Sequence, residues 1–574
     1  MAGQDQDAQA FDHSVDVLVV GTGNGGLTSA VCNYEMGSRD VLVIEKADKV
    51  GGTSATSGGG IWIPCSHYAK ECGAEDSLQE AREYLRQTLE GEDVPPELVD
   101  AYLENGPKML RFLHDRSQVR YESLDHYPDY YTNVDGAKEG HRSLEPAPFN
   151  CSELGDDYKR MTYSHHMMRI GGLIHFTQVE AQVLMLQLPG WIGITAKMIF
   201  QYIIDIPWKF RTLISRRLCC GSAGVARLFR SVKDRDIPIW FETPMESLIE
   251  KDGRIVGVVA KRDGKTIRIE ARKAVVLAAG GFEKNQAMRE KYLPAPTNAE
   301  WSAGSPNNTG DPLRAGLEIG AATRLINDAW WTTTLCVPNE PAPRLSIMEK
   351  SFPGSCVVNR AGKRIANESQ NYMAYQKELF AAHSEDNPCA PAYHVFDSRF
   401  RRNYIAGPLM TKALKPDWTI PKLWFESGFV AKADSIEELA GKMDIDPAGL
   451  RETINNMNRY AETGVDEEFH RGESAYDRYY ADPEIKPNPC LATIDEAPYY
   501  AMRIDAGDFG TLGGMDTDIN ARVKREAGGF IEGLYAVGNC SAAILPTYPG
   551  PGATLGPAMT MAYQSAKHIN QYQD

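Results

Sequence analysis

The chain has 574 residues and a formal net charge of −16, and 43% of its residues are hydrophobic while 24% are charged. These proportions are those of an ordinary globular protein, and they exclude a disordered, collagen-like or disulfide-scaffold chain. The acidic balance disfavours nucleic acid as a partner, because phosphate binding requires a basic surface. The mean hydropathy of −0.38 excludes a polytopic membrane protein.

Signal, disulfide and metal patterns do not stand out in this sequence. The first 14 residues are polar and acidic and lack the basic region and apolar core of a signal peptide, so we expect a cytoplasmic protein. The 11 cysteines include no CxxC pair, which indicates neither a disulfide framework nor a zinc ribbon. His165 and His166 are adjacent instead of four residues apart, and no HExxH pattern occurs, so we expect no metal site.

A dinucleotide-binding pattern stands near the start of the chain. An apolar run at 16–20 is followed by the glycine turn 21–26 and a helical stretch. A second apolar strand at 41–44 then ends in Glu45. Strand, glycine turn, helix, strand and acid within about 30 residues form the βαβ fingerprint of a Rossmann-like nucleotide site.

Each part of this fingerprint has a physical role. Gly21 permits the tight turn, Gly23 lets the backbone approach a pyrophosphate, and Gly26 lets helix and strand pack closely. The helix N-terminus offers N–H groups and a partial positive charge to the phosphates. Glu45 can accept hydrogen bonds from the ribose hydroxyls. We see no second unit of this kind, so we do not expect a separate NAD(P)H domain.

Three distant segments resemble the FAD enzymes of the fumarate reductase-like group. They are Glu45-Lys46 with the small-residue run 51–60, the strand and glycine turn 275–282, and the strand 533–539. The resemblance implies FAD as cofactor, in a domain built from both ends of the chain. The cofactor contacts that it implies are Gly21, Gly23, Gly26, Glu45, Lys46, Gly52, Thr53, Ser54, Gly58, Gly59, Ala279, Gly280, Asn308, Asp311, Gly538, Asn539 and Leu555.

A proline- and glycine-rich loop at 548–552 directly follows the last of these segments. Its sequence, Tyr-Pro-Gly-Pro-Gly, predicts a rigid, irregular loop. A ligand oxygen can come close to the Gly552 N–H because this residue has no Cβ, and Tyr548 supplies a hydroxyl beside it. Two such donors can polarise a carbonyl, as an oxyanion hole does. The residues from Gly556 onward read as the start of a terminal helix.

With this loop the sequence resembles the 3-ketosteroid Δ1-dehydrogenases over most of its length. The resemblance implies that Tyr548 and Gly552 hold the C3 carbonyl of a steroid. Tyr130, in the segment Tyr-Pro-Asp-Tyr-Tyr, and Tyr372, after Asn-Glu-Ser, are the other catalytic tyrosines that it implies. Tyr372 would remove the C2 proton, Tyr130 would share it, and C1 would give a hydride to flavin N5. A tyrosine has a pKa near 10, so the base needs help that the sequence does not identify.

A hydrophobic and then basic insertion spans residues 173–220. Residues 183–206 are long enough to be considered for a bilayer, but Pro189, Lys197 and Asp205 disfavour a spanning helix. An amphipathic face with basic neighbours predicts a peripheral anchor on the inner face of the cell membrane through 183–220. The stretch resembles the insertion of membrane-associated cholest-4-en-3-one Δ1-dehydrogenases. A core helical hairpin or an oligomer contact is the alternative. The types expected at the interface or near the headgroups are Trp191, Tyr202, Trp208, Arg211, Arg216, Arg217, Arg227, Arg230 and Lys233.

The predicted fold is α/β, with a Rossmann-like FAD-binding domain at 1–332 and 508–574. An inserted α+β catalytic domain of the fumarate reductase-like type spans 333–507, and the active site lies at the junction. We expect a steroid substrate and a quinone-like or artificial-dye electron acceptor. The alternatives are a fumarate or succinate oxidoreductase, a Δ4-(5α)-dehydrogenase, and a non-catalytic FAD-stabilised membrane module.

Overall fold

A computed structural model describes residues 10–573 of the protein. Residues 1–9 and 574 lie outside the described part, and with them most of the segment on which the absence of a signal peptide was predicted. The fold is built around two sheets, which belong to different stretches of the chain.

The larger sheet has eight strands and draws them from both ends of the chain. His13–Val20 pairs in parallel with Val41–Ile44 on one side and Lys265–Leu277 on the other. Phe530–Ala536 pairs in parallel with the end of Lys265–Leu277, which confirms that this domain is assembled from distant segments. These apolar strands are buried on both faces, as parallel strands between helices are. The other strands of this sheet are Ile239–Trp240, Met245–Lys251, Arg254–Arg262 and Arg522–Lys524.

A group of helices packs on this sheet through Asn24–Glu35. The helix Asn24–Glu35 follows the glycine turn, and it contacts both Cys220–Lys233 and the terminal helix Leu555–Asn570. The helix Pro96–Arg116 also packs on the terminal helix. Shorter helices in the same half of the chain are Gly52–Thr56, His67–Glu71, Leu78–Thr88, Gln286–Tyr292 and Asp311–Glu318.

The second sheet has six strands, and all of its pairings are antiparallel. Its long strands are Ala329–Leu335 and Tyr499–Thr511, and the predicted junctions at 332/333 and 507/508 fall inside them. The two-domain division therefore stays a prediction. Its shorter strands are Arg344–Leu345, Ser355–Val358, Ala392–Phe396 and Val430–Ala433, and its helices are Tyr372–Ala382, Ser398–Asn403, Lys422–Glu426, Ile436–Met443, Pro447–Thr463 and Ala475–Tyr479.

Small two- and three-stranded sheets lie outside the two large ones. Ile61–Trp62 pairs with Ser143–Pro146, which also pairs with Tyr121–Ser123. The remaining short pairs are Phe149–Asn150 with Arg217–Leu218, Arg169–Ile170 with Ile174–His175, and Thr323–Arg324 with Gly514–Met515.

The insertion forms three helices, Gln178–Met185, Trp191–Ile204 and Ile206–Lys209. The apolar run is broken at Gln187 and Gly190, which both have a positive φ. No helix among residues 10–573 is long and apolar enough to cross a bilayer. A row of apolar side chains is nevertheless exposed along it, comprising Ile192, Ile199, Phe200, Ile203, Ile204, Ile206, Phe210 and Leu213.

Two details of the predicted anchor differ from expectation. Trp208, expected at an interface, is only 5% exposed, because it packs against Tyr158 and its indole N–H donates to the Ile214 carbonyl. Most of the basic side chains are engaged within the protein. Arg216 pairs with Asp205, Arg217 with Glu180, Arg230 with Asp234 and Lys233 with Asp157, while Arg227 donates to the carbonyls of Gln118, Ala147 and Pro148.

The vicinal thiols Cys219 and Cys220 are buried. All 11 cysteines are free thiols.

Candidate active site

One continuous cavity at the junction of the two sheets brings the predicted residues together. It runs from the glycine turn after His13–Val20 to the loop 548–552. Every predicted cofactor contact except Gly26 lines it, and so do the four predicted catalytic residues. The cavity therefore joins two regions. One is lined by the predicted cofactor contacts, and we call it the cradle; the other is a cluster of tyrosines.

The glycine turn has the geometry that its predicted roles require. Gly21 has a φ of +108°, and a Cβ there would lie 2.5 Å from the Ala278 carbonyl oxygen. A Cβ on Gly26 would lie 2.1 Å from the Gly21 carbonyl oxygen, so this glycine serves helix packing and not the cavity wall. By contrast, a Cβ on Gly52 would meet nothing within 4 Å, which leaves space for a ligand at the cavity wall.

Glu45 and Lys46 lie at the end of the cavity that is predicted to bind the ribose, and nearby groups hold both side chains in place. Glu45 accepts hydrogen bonds from the backbone N–H groups of Thr22 at 3.0 Å and Ala47 at 2.9 Å, and burial raises its pKa. The Lys46 ammonium lies 2.9 Å from Asp311. These contacts orient both side chains along the cavity wall.

The middle of the cradle is made of small polar side chains. The Thr53 hydroxyl accepts from the Ser305 N–H at 2.8 Å and from the Asn308 amide at 3.3 Å. Asn24, at the first turn of its helix, lines the cavity with a buried Oδ1 that has no hydrogen-bond partner among the described residues. The N-terminus of this helix, which has no side-chain cap, fits a diphosphate-containing ligand such as FAD.

The C-terminal segment completes the cradle. Asn539 accepts a hydrogen bond of 3.1 Å from the Trp330 indole N–H, and the Cys540 thiol accepts one of 3.1 Å from the Ala279 N–H. The terminal helix begins at Leu555, which lines the cavity, so the positive end of a 16-residue helix faces it. This agrees with the predicted helix start after the loop.

Three predicted catalytic tyrosines meet in one cluster. The Tyr130 hydroxyl donates to the Tyr372 hydroxyl at 3.4 Å. The rings of Tyr130 and Tyr548 are stacked with centroids 5.6 Å apart, and those of Tyr372 and Tyr548 lie 5.5 Å apart. Residues from the start, middle and end of the chain thus share one buried surface.

Tyr548 and Gly552, the pair predicted to bind a carbonyl, lie close together at the cavity wall. Burial raises the pKa of Tyr548, and hydrogen bonds to its oxygen from Tyr372 and the Gly552 N–H act in the opposite direction. Gly552 has a φ of +97°, and a Cβ there would lie 2.4 Å from Ile61. Tyr548 itself has a φ of +59°, a conformation that costs energy for a residue with a side chain and is found at functional sites.

Several residues that the sequence did not single out hold the loop 548–552 in place. Three donors reach its carbonyls and that of Thr547: the Tyr84 hydroxyl donates to Pro549 at 2.5 Å, the Tyr131 hydroxyl to Thr547 at 2.7 Å and the Ser143 hydroxyl to Pro551 at 3.0 Å. The Tyr130 backbone N–H also donates to Pro549 at 2.9 Å. Tyr130 is therefore fixed to the same loop that carries Tyr548.

A buried ion pair supports the segment before Tyr130. Asp129 accepts from Arg142 at 2.8 Å and from the Trp62 indole N–H at 2.7 Å, while Arg142 also pairs with Asp76 at 2.7 Å. Burial raises the pKa of Asp129 to about 6, against the attraction of Arg142. No spacing in the sequence links these residues, because they come from separate strands and loops.

The environment of Tyr372 opposes its ionisation. Burial raises its pKa well above the usual value, the nearby Tyr548 raises it further, and the hydrogen bond from Tyr130 acts in the opposite direction. The help that a tyrosine base needs is thus only partly supplied by Tyr130.

The cavity contains few cations. Among the described residues that line it, the basic side chains are Lys46 and Lys49 near Glu45, together with His165. Around the tyrosines the wall is aromatic, with Tyr127, Trp330, Phe509 and Tyr480. Two carboxylates would find no arginine there, whereas a neutral, flat ketone fits such a surface.

The chain is similar to FAD-binding proteins throughout its length. An FAD binding domain family matches residues 16–555. A 3-oxosteroid 1-dehydrogenase of Mycolicibacterium smegmatis is 39% identical over 96% of this chain and 97% of its own. A 4-oxocyclohexanecarboxylate 2-dehydrogenase of Sinomonas cyclohexanicum is 36% identical over 96% of this chain and 92% of its own. A crystal structure of 3-ketosteroid delta1-dehydrogenase from Sterolibacterium denitrificans, in complex with 1,4-androstadiene-3,17-dione, is 42% identical. It has a TM-score of 0.94 and covers 98% of this chain and 100% of that one.

Proposed function

The chain belongs to the family of FAD-dependent 3-oxosteroid 1-dehydrogenases, and we propose that it places the 1,2 double bond in ring A of 3-keto-4-ene steroids with four residues. In this proposal Tyr548 and Gly552 bind the C3 carbonyl, Tyr372 is the base, and Tyr130 supports it. The observation that carries it is the convergence of these residues at one end of a cavity whose other end fits FAD.

The carbonyl-binding pair acidifies the C2 hydrogens. A hydroxyl and a backbone N–H that both point at one oxygen stabilise the negative charge that develops on it when C2 loses a proton. Because the loop is held by Tyr84, Tyr131 and Ser143, both donors are positioned before the steroid arrives. Because Gly552 has no Cβ, the loop approaches the backbone of Ile61 closely.

We assign the removal of the C2 proton to Tyr372. Its hydroxyl lies within 3.4 Å of the Tyr130 hydroxyl, so a proton that it gains at its oxygen can be shared along that bond. A buried tyrosinate is unfavourable here, because burial raises the pKa of both tyrosines. We infer that the Tyr130 hydroxyl, which donates to the Tyr372 oxygen, stabilises negative charge there while Tyr372 takes up the C2 proton.

The residues that would hold the cofactor are those of the cradle, from the glycine turn through Glu45, Thr53, Asn308 and Asn539 to Leu555. Bound FAD supplies the acceptor for the hydride that C1 loses. The aromatic wall around the tyrosines excludes water from the reacting carbons. We assign the cradle to the domain 1–332 with 508–574, and Tyr372 to the domain 333–507.

The test is anaerobic bleaching of the yellow protein. Androst-4-ene-3,17-dione and cholest-4-en-3-one should each bleach the FAD absorbance, and succinate should not. 4-Oxocyclohexanecarboxylate should bleach it poorly, because the tyrosine end of the cavity has no cation to hold a carboxylate. Bleaching by succinate and by no steroid would refute the proposal.

We also propose that residues 183–220 dock on a membrane surface and that the reduced enzyme passes electrons to a quinone-like acceptor there. The exposed apolar row of the insertion supports this, with Phe210 88% exposed. A second apolar patch, formed by Met410, Leu414, Trp418, Leu423 and Phe425, supports it as well, and Trp418 is 85% exposed. Both would place the enzyme at the cytoplasmic face of the membrane, where steroids partition.

A group of charged side chains lies near one part of the cavity wall, between the insertion and the segment 410–425 in the proposal. His166, at the base of the insertion, lies 2.9 Å from Glu340, which also pairs with Arg344 at 2.6 Å. Lys415, next to Leu414 in the chain, lies close enough to Arg344 and Glu340 for their charges to act on its pKa, which burial lowers. His165, Ala342 and Pro343 line the cavity in the same region. We propose that a steroid enters the cavity on this side.

A further inference from the structure

A buried carboxyl that the mechanism above does not use belongs to the wall of the cavity. Glu349 lines the cavity and is only 6% exposed, and its Oε1 has no hydrogen-bond partner among the described residues. Burial raises the pKa of this carboxyl to about 7, while the backbone N–H groups of residues 348 and 349 act in the opposite direction. An unpaired acid inside a protein costs free energy of folding, so its presence at a cavity wall needs a functional reason.

Two cations lie near Glu349, and both are committed to other groups. Lys350 and Arg344 act on the pKa of its carboxyl through their charge. The Lys350 ammonium, however, donates to the Glu368 carbonyl at 2.8 Å. The Arg344 guanidinium donates to Glu340 at 2.7 Å and 2.6 Å. Within the described part of the chain Glu349 thus has no ion-pair partner, which leaves its carboxyl open to a ligand.

Glu349 lies on the substrate side of the cavity. Like Tyr372, it belongs to the stretch 333–507, which carries none of the predicted cofactor contacts. The Lys350 ammonium donates at 3.3 Å to the carbonyl two residues before Tyr372, so the two segments are tied together. Leu345 and Ile347 line the cavity beside the carboxyl. An acid among such apolar side chains faces the region where the rings of a steroid would lie.

The carboxyl stands apart from the pair that would hold the C3 carbonyl. The strongest influences on the pKa of Tyr548 are burial, Tyr372 and residues 552 and 554, and Glu349 is not among them. The space around Glu349 is apolar instead, since a Cβ on Gly407 would lie 3.5 Å from its Oε1 and 2.3 Å from Leu335. A polar group of the substrate that meets this carboxyl is therefore remote from C3.

We propose that Glu349 binds a hydroxyl carried by ring D of the steroid, at the end opposite the C3 carbonyl. This inference rests on the proposed function, in which Tyr548 and Gly552 hold that carbonyl. It makes the cavity selective for steroids that carry a polar group at both ends.

A hydroxyl suits this carboxyl in either protonation state. It donates to the carboxylate and accepts from the neutral acid, so one hydrogen bond forms on both sides of the pKa of about 7. A 17-ketone can only accept, so it binds the neutral acid alone. A steroid with no polar group at C17 leaves the buried carboxyl unpaired, and that loss is the source of the selectivity.

The experiment compares two steroids that differ in one hydroxyl, 17β-hydroxyandrost-4-en-3-one and androst-4-en-3-one, on the full chain with FAD bound. The measurement is kcat/KM with an artificial dye as electron acceptor. The wild type should prefer the hydroxylated steroid by about tenfold or more, as expected when one buried hydrogen bond is lost. Glu349→Leu should reduce this preference to about twofold or less, whereas Glu349→Gln, which keeps a donor and an acceptor, should retain most of it.

Met348→Leu is the matched control, because Met348 lines the cavity next to Glu349 and the change nearly conserves the side-chain volume. It should keep the wild-type preference. The absence of a preference in the wild type would refute the site, and so would a Glu349→Leu enzyme that keeps the full preference.

A second measurement needs only the isosteric variant. The KM for androst-4-ene-3,17-dione should rise between about pH 6 and about pH 8 in the wild type, because the acid that donates to the 17-ketone ionises, and it should stay level in Glu349→Gln. Androst-4-en-3-one corrects for other groups that titrate in this range, among them Lys350, whose pKa burial lowers to about 8. A rise of equal size in Glu349→Gln would show that the carboxyl does not bind the ketone, and the site would be refuted. If neither steroid bleaches the wild-type FAD, the proposed function itself fails, whereas bleaching without a preference refutes this site alone.

Discussion

Tyr130 contacts the proposed base and the proposed electrophile at the same time. Its hydroxyl donates to Tyr372 at 3.4 Å, while its ring stacks on Tyr548 at 5.6 Å with an angle of 27° between the planes. Its backbone N–H is bonded to Pro549 in the loop that carries Tyr548. One side chain therefore fixes the distance between the group that polarises the ketone and the group that takes the proton.

Replacing Tyr372 by Phe should abolish most of the turnover and leave the cofactor bound. The substitution removes a positioned base, which contributes roughly 10²–10⁴-fold to a rate, and it deletes no contact of the FAD cradle. The measurement is the rate of anaerobic bleaching by a 3-keto-4-ene steroid, with FAD content taken from the absorbance of the purified protein.

Tyr375→Phe is a suitable control for this prediction. Tyr375 lies one turn later in the same helix, and its buried hydroxyl has no hydrogen-bond partner among the described residues. It should retain a rate near that of the wild type. A near-normal rate of the Tyr372→Phe enzyme would show that another group is the base.

Replacing Tyr548 by Phe should lower the rate of bleaching by about 10²–10³-fold, as loss of one oxyanion-hole donor does. The Gly552 N–H remains, so some polarisation of the ketone persists. The measurement compares bleaching with the binding of the same steroid to the protein. A loss of binding with an unchanged bleaching rate would assign Tyr548 to ground-state binding instead.

Features that depend on local sequence could be predicted. The glycine turn, Glu45 and the loop 548–552 lie within short segments whose backbone requirements restrict the residue types, and the structure places all of them around one cavity. The terminal helix begins at Leu555, within one residue of the expected start. The roles of the individual side chains stay predictions.

Features that depend on long-range contacts could not be predicted. Asp129 and Arg142 pair only because the segments that carry them fold against each other, and Tyr480 meets Tyr127 from a distant helix end. The charged residues of the insertion illustrate the same limit. Arg216 and Arg217 indicate a basic surface by composition, yet each is neutralised by a partner, Asp205 or Glu180, that precedes it by many positions.

Acidification should destabilise the protein through histidines that are buried in their neutral form. Burial lowers the pKa of His394 to about 3, of His175 to about 3 and of His165 to about 4. In the unfolded chain a histidine titrates near 6.5. The folded state therefore binds fewer protons below that value, and its stability falls with decreasing pH by up to about 1.4 kcal/mol per pH unit for each such group.

His394→Phe should weaken this pH dependence. Neither ring nitrogen of His394 has a hydrogen-bond partner among the described residues, and the ring packs against Phe396 and Phe400, so an aromatic replacement fits. The measurement is the unfolding temperature of the FAD-loaded protein between about pH 7.5 and about pH 5.5, where histidine titrates. An equal decrease for wild type and variant would mean that His394 does not contribute.

Membrane docking should depend on apolar contacts more than on charge. Phe210 and Trp418 are almost fully exposed, whereas Arg216, Arg217 and Lys233 are paired within the protein. Burying one large apolar side chain is worth about 1.5–3 kcal/mol, so Phe210→Ser should weaken co-sedimentation with phosphatidylcholine vesicles by about tenfold or more. Phosphatidylglycerol in the vesicles should strengthen binding only slightly, and salt should weaken it only slightly.

Val465→Ser is the control for this measurement, because Val465 is an exposed apolar residue outside both patches. It should bind vesicles as the wild type does. If Phe210→Ser and Trp418→Ser leave vesicle binding unchanged but convert a dimer to a monomer in light scattering, the apolar row is an oligomer contact. In that case the steroid would reach the cavity from solution, and turnover of cholest-4-en-3-one in vesicles would not exceed its turnover in detergent.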